Sequence, residues 1–428
     1  MKKWLFLFIW WLGVLFASAQ SLTIQDCWSL SREHYPLIKG KQSLMRASQL
    51  KMQNVKTAWL PQMELSGQAS LQSDVPHVGD IPAMPFTIPS ASKDQYKVAL
   101  DVSQTIYDGG RTQLRSQLEN LEGELEQTDI ETQLQKIREV VTQLFFNVFI
   151  LEAQKKQLNY ISSDLDARLK EMNVALASGA VLKSALSSLK VEQLRLSQRL
   201  IAVEQSQKQL LNSLSLFIGR EVPSSNELVA PRMSDFTSPI ARVEYDKFNL
   251  LQSSADAGIK LHQQNRRPVL AAFGQAGYGN PGYNMLNNEF DTFWLVGVKL
   301  KWTPWDWKQS RRSREVAEHQ KELINFQRES FDLQQKRELL EVSGLAQQYL
   351  QFMEKDEEII ELQSEVTDDY RNQLKNGAIT SSDYVSELNA EARARLDRDL
   401  HELQYLQSLA QQQQVGVIAA QNEESIDR

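Results

Sequence analysis

Two stretches of the chain alternate strictly between apolar and polar positions. In 95–106, Tyr96, Val98, Leu100 and Val102 fall on one face, and Lys97, Asp101, Ser103 and Thr105 on the other. In 294–303, Trp294, Val296, Val298, Leu300 and Trp302 share a face opposite Lys299, Lys301 and Thr303. A period of two predicts strands, at about 95–106 and about 292–303. Weaker alternations at 62–71 and 269–278 place small residues (Gly67, Ala69, Gly274, Ala276) on one face.

Elsewhere the period changes. Leu134, Ile137, Val141, Leu144, Val148 and Leu151 are spaced by alternating threes and fours, and Leu158, Ile161 and Leu165 continue the seam. Leu339, Val342, Ala346, Tyr349 and Met353 show the same spacing. This is a heptad pattern. No proline lies between Pro89 and Pro223 or after Pro304, and Gly123 is the only glycine between Arg111 and Ser178. A helix over 111–176 is predicted, about 100 Å long at the α-helical rise. It stops near Gly179, where glycine suits a left-handed cap, and a second helix returns. In the later copy Asn376-Gly377 is the stop, with Ser382 or Asp383 expected to cap the returning helix. Helical patterns at 22–58 and about 239–265 precede the strands, ended by Pro61 and Pro268.

The chain is thus duplicated. At an offset of 198, Asp108 aligns with Asp306, Tyr107 with Trp305 and Gly179 with Gly377. At an offset of 207, Pro61 aligns with Pro268 and Gly67-Gln68-Ala69 with Gly274-Gln275-Ala276. The difference falls on the Pro-rich stretch 72–93, as an unequal loop between equal elements should. The expected division is 20–238 for the first repeat, with its tip at about 179, and 239–420 for the second, with its tip at about 377. Residues 421–428 form a C-terminal tail.

Composition narrows the class. The sequence opens with Lys2-Lys3, an apolar run from Trp4 to Phe16, and Ala17-Ser18-Ala19. The run is too short to span a bilayer, so 1–19 reads as a signal peptide. The remainder carries 45 basic and 54 acidic residues, which argues against nucleic acid as a partner. One cysteine, Cys27, and five dispersed histidines offer no metal or cofactor constellation; Cys27 is expected to be a buried helical thiol. No phosphate-binding loop, H-E-x-x-H or G-x-S-x-G motif is present, which speaks against an enzyme.

An exported chain with long helices and four strands of about ten residues poses a physical problem. Ten residues suit a tilted membrane-spanning strand. One face of each is apolar, with aromatics near the ends. Open sheet edges are not tolerated in lipid, and four strands are too few to close, since single-chain barrels begin at about eight. Several chains must then share one barrel. A soluble periplasmic coiled-coil or adaptor-like protein is the alternative, but it has no need for W-x-V-x-V-x-L-x-W at 294–302.

The Leu-Thr-Ile-Gln-Asp-Cys start (22–27), Trp-Leu-Pro (59–61), Tyr-Asp-Gly-Gly-Arg (107–111) and the Gly-Ala pairs (179–180, 377–378) together resemble the TolC family of outer-membrane efflux proteins. The resemblance implies a mainly α fold with membrane β: a duplicated helix-strand-strand-helix-helix repeat, trimeric, with a 12-stranded β-barrel continued by a periplasmic α-helical tunnel. It implies a passive duct in the outer membrane, working with a periplasmic adaptor protein and an inner-membrane pump of RND or ABC type. Carried onto this chain, Tyr107, Asp108, Gly109, Gly110, Trp305 and Asp306 form the barrel–tunnel junctions. Gly179, Ala180, Gly377, Ala378 and Asp383 form the adaptor-docking tips, and Asp368, Asp369, Tyr370 and Arg371 are gate candidates. Tyr96, Val98, Leu100, Trp294, Val296, Val298 and Trp302 face lipid, while Lys97, Asp101, Lys299 and Lys301 are barrel-lumen candidates, strand-end positions facing headgroups being the alternative for the lysines. Two departures stand out. The second junction lacks the glycine pair and is expected to turn differently. Ala185 stands where the family often has an acid, which argues against an adaptor contact that depends on an acid in the first hairpin.

Overall fold

Pro36 sets the first feature of the fold. The residue before it, Tyr35, is extended (φ −63°, ψ 126°), because proline pushes its predecessor out of the α region. The single helical stretch expected over 22–58 is therefore two helices, α1 (Ile24–His34) and α2 (Leu37–Lys56). Helix α1 starts on a reciprocal cap: the Asp26 amide donates to Thr23 Oγ1 at 3.2 Å, and the Thr23 amide donates to Asp26 Oδ2 at 2.9 Å. The computed structural model describes residues 21–75, 92–179, 181–237, 240–285 and 288–416. The expected signal peptide, the C-terminal tail, Ala180 and most of the Pro-rich loop lie outside them.

After α2 come β1 (Gln62–Leu71), β2 (Asp94–Tyr107), α3 (Arg111–Ala177) and α4 (Lys183–Ile218). The order then repeats as α5 (Val243–Gln264), β3 (Val269–Asn280), β4 (Asp291–Lys301), α6 (Gln309–Lys375) and α7 (Ser381–Val415). Both long helices, α3 and α6, have 67 residues. None of the described helices is long and apolar enough to cross a membrane.

The chain forms two compact units that cut across the repeats. One holds 39–131 and 243–331; the other holds the remaining stretches. The first contains the sheet. Its four strands run in the order β1-β2-β3-β4, all antiparallel. Within this unit Gly123 of α3 packs against Ser48 of α2; a Cβ there would lie 2.2 Å from Ser48 Oγ. Close helix approach accounts for the lone mid-helix glycine.

The other unit has two hydrophobic cores. In one, Ile24, Cys27 and Trp28 of α1 meet Val141, Phe145 and Phe146 of α3, Leu214 of α4 and Ala410 of α7. The Trp28 indole donates to Thr142 Oγ1 at 2.9 Å, and the Arg138 guanidinium lies 3.9 Å from its ring centre. Cys27 is fully buried, and burial pushes its thiol up to about 12. In the second core, Leu158, Ile161 and Leu165 of α3 pack on Leu186 and Leu189 of α4 and on Tyr384 and Leu388 of α7. The heptad seam is thus buried. By contrast α6 leaves Leu333, Leu340, Phe352, Ile359 and Leu362 exposed in this single chain.

Candidate functional site

The register assigns each strand residue to a face. Leu100 sits between Leu65 and Ala276, and Val98 between Gly67 and Tyr278. Trp294 is opposite Ala276, Val296 opposite Gly274, and Val298 opposite Ala272. Since alternate residues share a face, Met63, Leu65, Tyr96, Val98, Leu100, Trp294, Val296 and Val298 form one continuous apolar surface, and all are exposed. Trp302, expected at the end of the last strand, lies one residue beyond β4. Its indole donates to the Arg266 carbonyl at 3.1 Å.

The opposite face is polar and centred on Gln275. Its amide nitrogen donates to Asp101 Oδ1 at 2.5 Å, and its carbonyl oxygen accepts from Lys97 Nζ and the Tyr283 hydroxyl, both at 3.0 Å. Lys97 also lies 4.9 Å from the Phe293 ring centre. Lys299 and Lys301 share this face by register. Gln275 belongs to the network, although pattern reading had not singled it out.

At the strand-to-helix junctions the two copies make the same turn. Asp108 accepts from the amides of Gly110 (2.8 Å) and Thr112 (2.6 Å), capping α3. Asp306 accepts from the Ser310 amide at 2.9 Å, capping α6. Burial tends to raise the Asp108 carboxyl, but the bonds from Thr112 and Gly110 outweigh it and hold the group low. Gly109 and Gly110 have φ of 74° and 90°; the aligned Trp307 and Lys308 have 51° and 64°. The expectation of a different turn at the second junction is corrected. The capping carboxylate dictates the left-handed backbone, and two bulky residues accept it.

At the tips, α3 ends with Gly179 at φ 73° and α6 with Gly377 at φ 69°. The Ala378 amide donates to the Gln373 carbonyl at 2.9 Å, and the Gly377 amide to that of Leu374 at 3.1 Å. This pair of bonds closes a helix on a left-handed residue. The returning helix α7 is capped by Thr380, not by Ser382 or Asp383. Asp383 completes the cap from three residues on, through bonds to the Thr380 amide and hydroxyl. Those bonds lower its pKa. A cavity of about 570 Å³ lies between the tips, lined by Met172, Val181, Ala185, Leu374 and Ile379 among others.

Just above, Arg371 pairs with Asp368 and lies 3.8 Å from Asp164 of α3. The buried Tyr384 hydroxyl donates to Asp164 at 2.5 Å. Tyr384 is pushed up to about 12, first by burial and then by its bond to Asp164. Tyr370 packs against the second core, while Asp368 and Asp369 are exposed. The structure thus joins Arg371, and through it Asp368, to Asp164 and the Tyr384 bonded to it, two residues that carry no sequence signal. Among the described residues no group of three or more His, Cys, Asp or Glu side chains could hold a metal ion.

No protein-family model matches the chain, and no curated relative matches its sequence. Solved structures match its fold. The outer membrane protein VceC from Vibrio cholerae superimposes with a TM-score of 0.61 at 12% identity, covering 90% of this chain and 96% of that one. CusC gives 0.68 at 12%, covering 92% of each. The MtrE outer membrane channel of Neisseria gonorrhoeae, in its open state, gives 0.65 at 13%, covering 92% of this chain and 88% of that one. The chain has the fold of these proteins, in agreement with the mainly α chain with strands that the TolC-family resemblance implies.

Proposed function

We propose that three copies of this chain form a passive exit duct across the outer membrane, opening into a periplasmic tunnel. The observation that carries this reading is the sheet. Four strands present one uninterrupted apolar face and one polar face, and both outer strands have an unpaired edge. Lipid accepts such a sheet only when it is closed, and three copies supply the twelve strands that the resemblance implies. The polar face, with Lys97, Asp101, Gln275, Lys299 and Lys301, lines the lumen. The exposed apolar residues of α6 face a neighbouring copy.

Energy comes from an inner-membrane pump of RND or ABC type, through an adaptor at the tips around Gly179 and Gly377. Asp368, Asp369, Tyr370 and Arg371 stand beside the tunnel entrance, where carboxylates favour cations. Sizing of the detergent-extracted protein from outer-membrane fractions tests the assembly: a complex of three mature chains supports the duct, and a soluble monomer overturns it. Asp368→Ala with Asp369→Ala should change cation block or conductance; unchanged currents remove them from the gate.

A further inference from the structure

The two ends of the sheet carry opposite charge. Four connections meet at the end joined to the helices: 54–61, 107–115, 264–270 and 301–312. Apart from Lys301, which belongs to the polar face, they hold eight Lys and Arg but only two acids, Asp108 and Asp306. Both acids are engaged as helix caps. At the other end, 71–75, 92–96, 280–285 and 288–293 hold one cation and four acids. The asymmetry is local, since the whole chain is acidic, with a net charge of −7.

Hydrogen bonds draw the basic connections together. The Arg267 guanidinium donates to the Gly109 carbonyl, Arg111 to the Arg267 carbonyl, and Arg266 to the Pro304 carbonyl at 3.2 Å. Exposed tryptophans stand among them: Trp302 at 60%, Trp305 at 68% and Trp307 at 78%. Trp305 and Trp307 meet edge to face at 5.9 Å. A soluble surface gains nothing from three exposed indoles. At the rim of an apolar band they sit at headgroup depth, where the surrounding cations would meet phosphate.

From this juxtaposition we infer that the helix-facing rim of the sheet is a collar that binds the headgroups of anionic phospholipids in the inner leaflet of the membrane. Tryptophan rings fix the depth, and Lys56, Arg266, Lys308 and their neighbours supply the charge. The inference rests on the proposed membrane sheet and adds a lipid preference to it.

The test uses tryptophan fluorescence of the full mature chain in vesicles containing brominated phosphatidylglycerol or brominated phosphatidylcholine, with channel conductance recorded in parallel. The expected result is quenching by phosphatidylglycerol at a several-fold lower mole fraction, a preference that shrinks as salt rises. Each cation near a surface contributes on the order of fivefold. The triple variant Lys56→Gln, Arg266→Gln, Lys308→Gln should therefore lose most of the preference. Equal quenching of the wild type by both lipids, with channels formed, overturns the collar and leaves the duct standing. Full preference retained by a channel-forming triple variant also overturns it. No quenching by either lipid and no channels overturns the duct and the collar together.

Discussion

Tyr384 of α7 donates its hydroxyl to Asp164 of α3 across 2.5 Å, joining the second repeat to the first. The ring is fully buried, so the oxygen has no water to fall back on. Removing it in Tyr384→Phe leaves one Asp164 oxygen short of a donor, at a cost of about 1–3 kcal/mol. Thermal unfolding of the detergent-extracted protein should show the loss, with the lower end of the bundle exchanging amide hydrogens faster.

Burial of the hydroxyl, and then its bond to Asp164, predict a pH effect. The folded-state value of Tyr384 is raised from 10.0 to about 12. A raised value means that the folded state holds its proton more tightly than the unfolded state does. The stabilisation is therefore complete below pH 10 and disappears as pH rises through the window to about 12. Stability measured against pH should fall there in the wild type, and this component of the fall should vanish in Tyr384→Phe.

The matching junctions separate backbone strain from steric contact. Gly109→Ala places a Cβ 2.7 Å from Arg267 Cβ in a left-handed turn and should destabilise by about 1–3 kcal/mol. Lys308→Gly relieves a left-handed conformation worth about 1–2 kcal/mol, offset by the larger chain entropy of glycine. It should be neutral or slightly stabilising. Chemical denaturation of both variants, compared with the wild type, reads the contrast directly.

Adjacent residues of one strand distinguish the two faces of the sheet. If the sheet spans the membrane as proposed, Val296→Lys puts a charge on its lipid face and should cost about 2–4 kcal/mol. Leu295→Lys puts it on the polar face and should be far milder. The yield of folded protein in outer-membrane fractions measures both.

At Gly123 the contact is side chain against helix. Gly123→Ala should cost about 1–3 kcal/mol through overpacking. Because the nearest atom is Ser48 Oγ, the double variant with Ser48→Gly should recover much of the loss, which a thermal-unfolding cycle measures.

Local signals made the strands and long helices legible. Parity along 294–302 sorts Trp294, Val296 and Val298 from Lys299 without knowledge of the partners, and the heptad from Leu134 to Leu165 marks the buried seam. The break at Pro36 carries the same signal as Pro61, but apolar residues continue on both sides and mask it. The turn at Trp307-Lys308 was not legible, because left-handed conformations are uncommon outside glycine. Its capping Asp306 was the better guide. Nor was the Tyr384–Asp164 pair, whose members lie 220 residues apart. The sequence repeats and the compact units divide the chain differently. Each long helix belongs to one repeat but is long enough to serve both units.

The two unpaired edges of the sheet have a kinetic consequence. In the proposed duct, a lone chain that entered lipid would leave the N–H and C=O groups at the outer edges of β1 and β4 without partners, so no stable membrane-inserted monomer is expected. Insertion and association must then be one event, and its rate should rise more steeply than the first power of chain concentration. Until it happened, each new chain of that duct would carry a sticky four-stranded ribbon through water. Its survival depends on how quickly it meets its fellows or on a carrier that shields the ribbon in transit.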